Sequence, residues 1–195
     1  MKKLLLSSFL IVSAVTVFAQ GFYFDIGVGV GSATTKIDGT DISDLFGSSV
    51  TETGVDLGLK LGYGPIAGTP LYIVGEISGI GHRFEDAYNY MQFNSYLIGP
   101  GLLLYPVPFI QLGATFGYSF VSNQTDLPME MYESESGSAA NFSIAFDLGK
   151  GNNGCLIGAK YEFASNILEI SGLKQESSIF CIFVKYAYRH KTKIN

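Results

Sequence analysis

The stretch Phe22–Gly31, FYFDIGVGVG, decides the fold. Phe22, Phe24, Ile26, Val28 and Val30 alternate with Tyr23, Asp25, Gly27, Gly29 and Gly31. A period of two is the signature of a strand with two unlike faces. The make-up of the second face is the informative part. A soluble sheet fills it with Lys, Thr, Glu and Ser, whereas here it is mostly glycine with isolated charges. Residues 110–120, IQLGATFGYSF, repeat the pattern, with Ile110, Leu112, Ala114, Phe116, Tyr118 and Phe120 on the apolar side. Small inward residues and large apolar outward ones suit the cramped lumen of a small closed barrel whose outer face meets lipid.

Turn signals divide the rest of the chain into eight such segments, near 22–34, 50–62, 71–81, 92–104, 109–121, 139–149, 154–164 and 177–189. The links 63–70, 105–108 and 150–153 are short and rich in proline, glycine and asparagine, as tight turns require. The links 36–49, 82–91, 122–138 and 165–176 are longer and more polar. Short turns at one rim and long loops at the other predict an all-β fold: an eight-stranded antiparallel transmembrane β-barrel. It would be an up-and-down meander with short periplasmic turns and longer extracellular loops. The third segment alternates weakly, and the fourth fits either register. Pro100, inside Gly99-Pro100-Gly101, predicts a bulge or an early strand end, because a closed barrel has no edge to hold a proline.

The ends of the chain set the compartment. Lys2 and Lys3 precede an apolar run from Leu4 to Phe18, and Val17-Phe18-Ala19 offers small residues at a cleavage site. Residues 1–19 therefore read as a cleaved signal peptide and 20–195 as the barrel domain. The run is shorter than the roughly 20 residues of a spanning helix. Mean hydropathy is +0.28 and charged residues are 15% of the chain, below the roughly 25% of soluble domains. A lipid-facing wall accounts for that apolar surface without any hydrophobic helix. A net charge of −5 argues against nucleic acid as a partner. Cys155 opens one segment and Cys181 lies early in the next, several rungs apart in an antiparallel hairpin, so no disulfide is expected.

Asp25, Asp56, Lys60, Glu76, Asp147, Lys160, Glu162, Lys185 and Arg189 fall on the small-residue face. Charges in such an interior must pair, so an ion-pair ladder is expected, with Asp25 near Lys185 and Arg189 where the first and last strands close. The outward counterparts include Leu57, Phe116 and Ile144, and Phe22, Phe24, Tyr186 and Tyr188 gather at the short-turn rim. Gly27–Gly31 lacks the spacing of a nucleotide-binding loop and no helix follows. His82 is expected in a solvated loop beside Glu85 and Asp86, and His190 in the tail. Glu130, Glu133 and Glu135 lack the spacing of a calcium loop. No catalytic, cofactor or metal site is expected, and the chain is not read as an enzyme.

With signal peptide, eight alternating strands and turn asymmetry together, the chain resembles the small outer-membrane β-barrel family that includes the OmpA membrane domain and OmpX, with OmpW-like proteins as a related group. The resemblance spans essentially the whole mature chain. It implies a location in the bacterial outer membrane, insertion by the barrel-assembly machinery, and outer-membrane lipid as a partner. Members usually close with an aromatic residue near the C-terminus. Tyr186 and Tyr188 keep that alternation here, while His190–Asn195 runs past it. The expected role is a monomeric, non-enzymatic surface anchor acting in adhesion or envelope structure through its loops. The alternative is a small porin-like channel or transporter for ions or apolar compounds.

Overall fold

The computed structural model describes residues 21–46, 50–127, 134–169 and 171–189. The signal-peptide segment, Glu130, Glu133, the side chain of Glu135, and the tail from His190 lie outside the described residues. Ten strands occur among the described residues: β1 (Phe22–Ile37), β2 (Thr40–Asp41), β3 (Thr51–Tyr63), β4 (Leu71–Glu85), β5 (Tyr90–Val107), β6 (Ile110–Val121), β7 (Gln124–Thr125), β8 (Ser134–Asp147), β9 (Asn153–Leu168) and β10 (Lys174–Arg189). The eight long ones pair antiparallel with their neighbours, and β10 pairs with β1 from Tyr23↔Arg189 to Ile37↔Gln175. The sheet is closed. β2 and β7 are short ribbons on β1 and β5.

The stagger of the barrel follows from the pairing. Tyr23 leads through Gly62, Val74, Gly101, Thr115, Asn141, Glu162 and Ile179 back to Ala33, ten residues along the strand where the path began. Such a stagger tilts the strands by roughly 35–45°. It also orders the inward side chains by height. The outward face carries Val28, Leu57, Ile77, Phe116, Phe142 and Ile182, each about half exposed or more. This apolar belt ends at outward Thr53, Arg83, Asn94 and Ser178. At the short-turn rim Phe22 meets Tyr188 at 6.3 Å between ring centroids and Tyr63 at 6.1 Å, where aromatic girdles sit.

Three sequence expectations are corrected. The link 82–91 is not a long loop: β4 runs to Glu85, β5 begins at Tyr90, and only 86–89 remain as a turn. The alternation continues there because Phe84 packs inward on Phe93 while outward Arg83 lies 4.4 Å from the Tyr90 ring. His82 is consequently inside the barrel. Pro100 neither bulges nor ends its strand: β5 pairs with β4 straight through Gly75↔Pro100. The register with β6 is the same at Ile98↔Tyr118 and Gly101↔Thr115, with the two rungs between them missing. The absent N–H of Pro100 therefore falls on the β6 side. Gly99 and Gly117 let the two backbones close together there, since a Cβ on either would lie about 2.3 or 2.2 Å from the opposing carbonyl oxygen. The irregularity in β5 instead falls between Leu104 and Val107, beside the tight turn at 108–109.

The phase of β5 is also decided. Leu97 and Leu103 are buried in the lumen, while Ile98 and Leu102 face out. Cys155 pairs with Tyr186, and Cys181 with Lys160; both cysteines are free, on opposite faces of the wall.

Candidate functional site

The lumen is layered. At the short-turn end Tyr23, Tyr72, Tyr105, Val74 and Leu103 form a buried cluster. Gln111 donates from Nε2 to the hydroxyl of Tyr23 at 2.8 Å and of Tyr105 at 2.6 Å. Arg189 lies 3.7 Å from the centre of the Tyr105 ring, donates to Asp147 at 2.6 Å, and reaches the carbonyl of Pro108. Asp147 in turn accepts the Gly149 N–H at 2.8 Å, so one carboxylate fixes both the turn and the last cation.

All nine inward charges occupy the lumen, none more than 7% exposed. Lys185 pairs with Asp25 at 3.2 Å, and Tyr23 donates its hydroxyl to the same carboxylate at 2.6 Å. Lys60 pairs with Glu76 at 3.4 Å, and Thr115 donates to Glu76. Lys160 bridges Asp56 and Glu162, the latter at 2.7 Å. Glu162 also accepts from the Ser78 hydroxyl at 2.7 Å and from the Asn141 amide at 3.3 Å. Each cation thus finds a carboxylate, as burial demands. The expected seam contact forms between Asp25 and Lys185, whereas Arg189 turns to Asp147 because it lies lower in the tilted register.

Above this ladder come apolar side chains: Ala33, Ile80 and Ile179 in one cluster, Leu97, Ala139 and Ala164 in another. Higher still, Ser95 and Ser177 hydrogen-bond at 2.9 Å. The mouth is covered by a four-residue 3₁₀ turn, Ile42–Leu45, whose first N–H groups are capped by the Asp41 carboxylate accepting from Ser43 at 3.0 Å. Ile42 packs on Phe84 and Phe93, and Phe46 stacks on Phe84 at 4.7 Å. Loop carboxylate Asp86 accepts the N–H groups of Tyr88 and Asn89, which holds its pKa below the ordinary value.

Under the cap sits a contact unseen in the sequence. His82, fully buried, is bonded through Nδ1 to Thr35 Oγ1 at 2.9 Å and through Nε2 to Glu52 at 2.8 Å. The connectivity is that of a hydroxyl–imidazole–carboxylate relay. Thr35 is also fully buried, so its hydroxyl is shielded from an acyl substrate; the arrangement is a clasp joining β1, β3 and β4. It was legible in principle, since Thr35 and His82 continue the inward parity of their strands one residue beyond the expected ends and Glu52 has inward parity within its own segment. Among the described residues no group of three or more His, Cys, Asp or Glu is arranged to hold a metal ion.

The fold is that of the small eight-stranded outer-membrane β-barrels. No protein-family model matches the chain, and no curated protein does. Solved structures do. Ail, the attachment invasion locus protein of Yersinia pestis, in complex with the heparin analogue sucrose octasulfate, superposes with a TM-score of 0.56 at 14% identity, covering 87% of this chain and 100% of that one. A second Ail structure gives 0.51 at 14% identity, covering 86% and 97%. Neisserial surface protein A gives 0.49 at 13% identity, covering 88% and 99%.

Proposed function

We propose that this chain is a monomeric bacterial outer-membrane protein whose barrel is a solid anchor and whose long-loop end, at the cell surface, acts in adhesion or envelope structure. The observation that carries this reading is that opposite strands touch across the lumen at three heights: Gln111 to Tyr23, Ser78 to Glu162, and Ser95 to Ser177. Apolar side chains lie above and below the ladder. A conduit through the axis would have to break these contacts together. Ion pairing accounts for the inward charges, and no enzymatic role is proposed.

The loop end has a definite charge. Among the described residues five acidic side chains face the lumen and nine others, Asp38, Asp41, Asp44, Glu52, Glu85, Asp86, Asp126, Glu169 and Glu176, lie at the loop end. Only Lys36, Arg83 and Lys174 oppose them there. The Ail structure holds a polyanion, and a ligand of that charge is repelled by this surface. Neutral or cationic partner surfaces suit it.

Two measurements test the reading. In planar bilayers the purified barrel is expected to give no discrete openings; steady unitary currents would instead support the channel alternative. Cysteines at Asp41, Asp86 or Lys174 should react with an impermeant reagent on intact cells. Labelling at Pro65 or Lys150, with the loop sites protected, would reverse the orientation.

A further inference from the structure

The loop end carries a small socket that the barrel's own stability does not explain. It opens between the 3₁₀ turn over the mouth and the hairpin turn at 86–89, and its volume is about 110 Å³. Its floor is the cap's apolar cluster, with Phe46, Val50, Phe84 and Met91, and Leu127 completes the wall. The exposed members of its lining, Asp86 and Asn89, form the rim.

The walls are pinned in place. Phe46 stacks on Phe84, and its N–H donates to the Ser43 carbonyl at 3.2 Å. The 86–89 turn is closed twice, by the Asp86 N–H on the Asn89 carbonyl and by the Asn89 N–H on the Asp86 carboxylate. Residues 125–127 are tied to Tyr90: Asp126 accepts the Tyr90 N–H at 2.8 Å, and Thr125 donates to the Tyr90 carbonyl at 2.8 Å. A socket built this way is formed in advance, so an occupant is spared the cost of ordering it.

Size and charge define that occupant. Pockets for small molecules run about 300–1,000 Å³, whereas 110 Å³ admits a single side chain. An apolar floor under an anionic rim fits an aliphatic stem that ends in a cation. Asp86 selects between the two side chains of that kind. Both of its backbone bonds, from Tyr88 and Asn89, fall on Oδ1. Oδ2 is left for one contact, which an ammonium satisfies and a guanidinium fork, matched to both oxygens, does not. The one arginine of this hairpin is already engaged: Arg83 lies over the Tyr90 ring at 4.4 Å and donates to Glu85 at 3.0 Å. Next to the socket in the chain, Leu45 is 68% exposed and Tyr88, on the rim turn, is 88% exposed. Both lie beyond the apolar belt, where lipid does not account for them, and tyrosine is among the residues that dominate binding hot spots.

We propose that the loop end docks a polypeptide by one lysine, its methylenes in the Phe46–Phe84–Met91 socket and its ammonium on Asp86 Oδ2. The surface around that lysine lies on Tyr88 and Leu45. Meeting the partner outside the cell rests on the orientation and anchor role proposed above; the socket itself does not.

The test is a titration of the isotope-labelled full barrel in detergent micelles, at physiological salt, with Nα-acetyl-lysine methylamide, read by the amide shifts of Asp86, Tyr88 and Asn89. The matching arginine and norleucine compounds are the competing probes. Lysine should saturate those shifts at roughly millimolar concentration, the strength of a single side chain. It should bind about tenfold more tightly than norleucine, which keeps a stem without the charge, and more tightly than arginine. Asp86→Asn keeps the turn, because an amide oxygen accepts the same two N–H bonds, and should lower lysine affinity about tenfold. Asp38→Asn removes the same charge elsewhere on the loop end and should leave the affinity unchanged. Equal losses in the two variants would reduce the effect to the general charge of the rim and overturn the proposal. Norleucine or arginine binding as tightly as lysine would overturn it too, as would unmoved shifts at the 86–89 turn. Surface labelling that reversed the orientation would refute the cell-surface reading and leave these shifts in place.

Discussion

At the scale of residues, parity is the controlling variable. Every charge assigned inward from alternation alone is buried in the lumen, because a one-residue slip would put Asp25 or Lys60 into lipid. Parity also separates two outcomes of one substitution. Arginine at Leu57 or Ile144, both about half exposed to lipid, should cost roughly 2–4 kcal/mol near the midplane, measured by urea titration of the vesicle-inserted barrel. Arginine at inward Gly58 should fail differently, since Lys185 Nζ lies 3.2 Å from where its Cβ would stand. The seam is the sharpest case. Lys185→Glu places a second carboxylate beside Asp25, and breaking such a buried pair costs about 3–5 kcal/mol. Adding Asp25→Lys should recover part of the loss, with a coupling of about 0.5–3 kcal/mol in the double-mutant cycle. A coupling of zero would mean the 3.2 Å contact contributes nothing. The His82 clasp escaped the same logic for a physical reason: histidine, Glu85 and Asp86 together look solvated, and only the pairing of Phe84 with Phe93 carries the strand onward.

At the scale of elements, strand existence was legible and strand length was not. The eight segments all appear, yet β5 spans 18 residues and β4 spans 15, because ladder hydrogen bonds carry strands beyond the apolar belt that defines the sequence pattern. Polar residues above that belt have no periodic contrast to reveal them. The phase of β5 was illegible for the opposite reason: leucines occupy both faces, Leu97 and Leu103 inward, Leu102 and Leu104 outward. Pro100 gives this scale its prediction. Pro100→Val supplies the missing donor to β6 without changing register, and should stabilise the barrel by about 0.5–1.5 kcal/mol, the net worth of one hydrogen bond. An unchanged urea midpoint would show that the ladder there is limited by the close glycine pair instead.

At the scale of the whole molecule, the eight strands, their closure and the ionic lumen followed from alternation and turn placement, while the contacts spanning the lumen did not. Gln111, Ser78 and Ser95 read in sequence as ordinary small or polar inward residues. Only a ten-residue stagger brings each opposite its partner. Those contacts join residues 88, 84 and 82 positions apart, farther than any adjacent-strand pairing along the meander. They have a temporal consequence. Neighbouring strands can zip one after another, but no contact across the axis can engage until the sheet has curled nearly shut. The cross-ties therefore form late, and they act as a latch and not as a nucleus. Gln111→Leu, which removes the tie to Tyr23 together with the neighbouring bond to Tyr105, should quicken unfolding about fivefold to tenfold while leaving the rate of insertion into vesicles unchanged. A slower insertion would place the tie early. Once latched, no single seam can be peeled open without releasing ties on the far wall, so the barrel's lifetime in the membrane is governed by its interior.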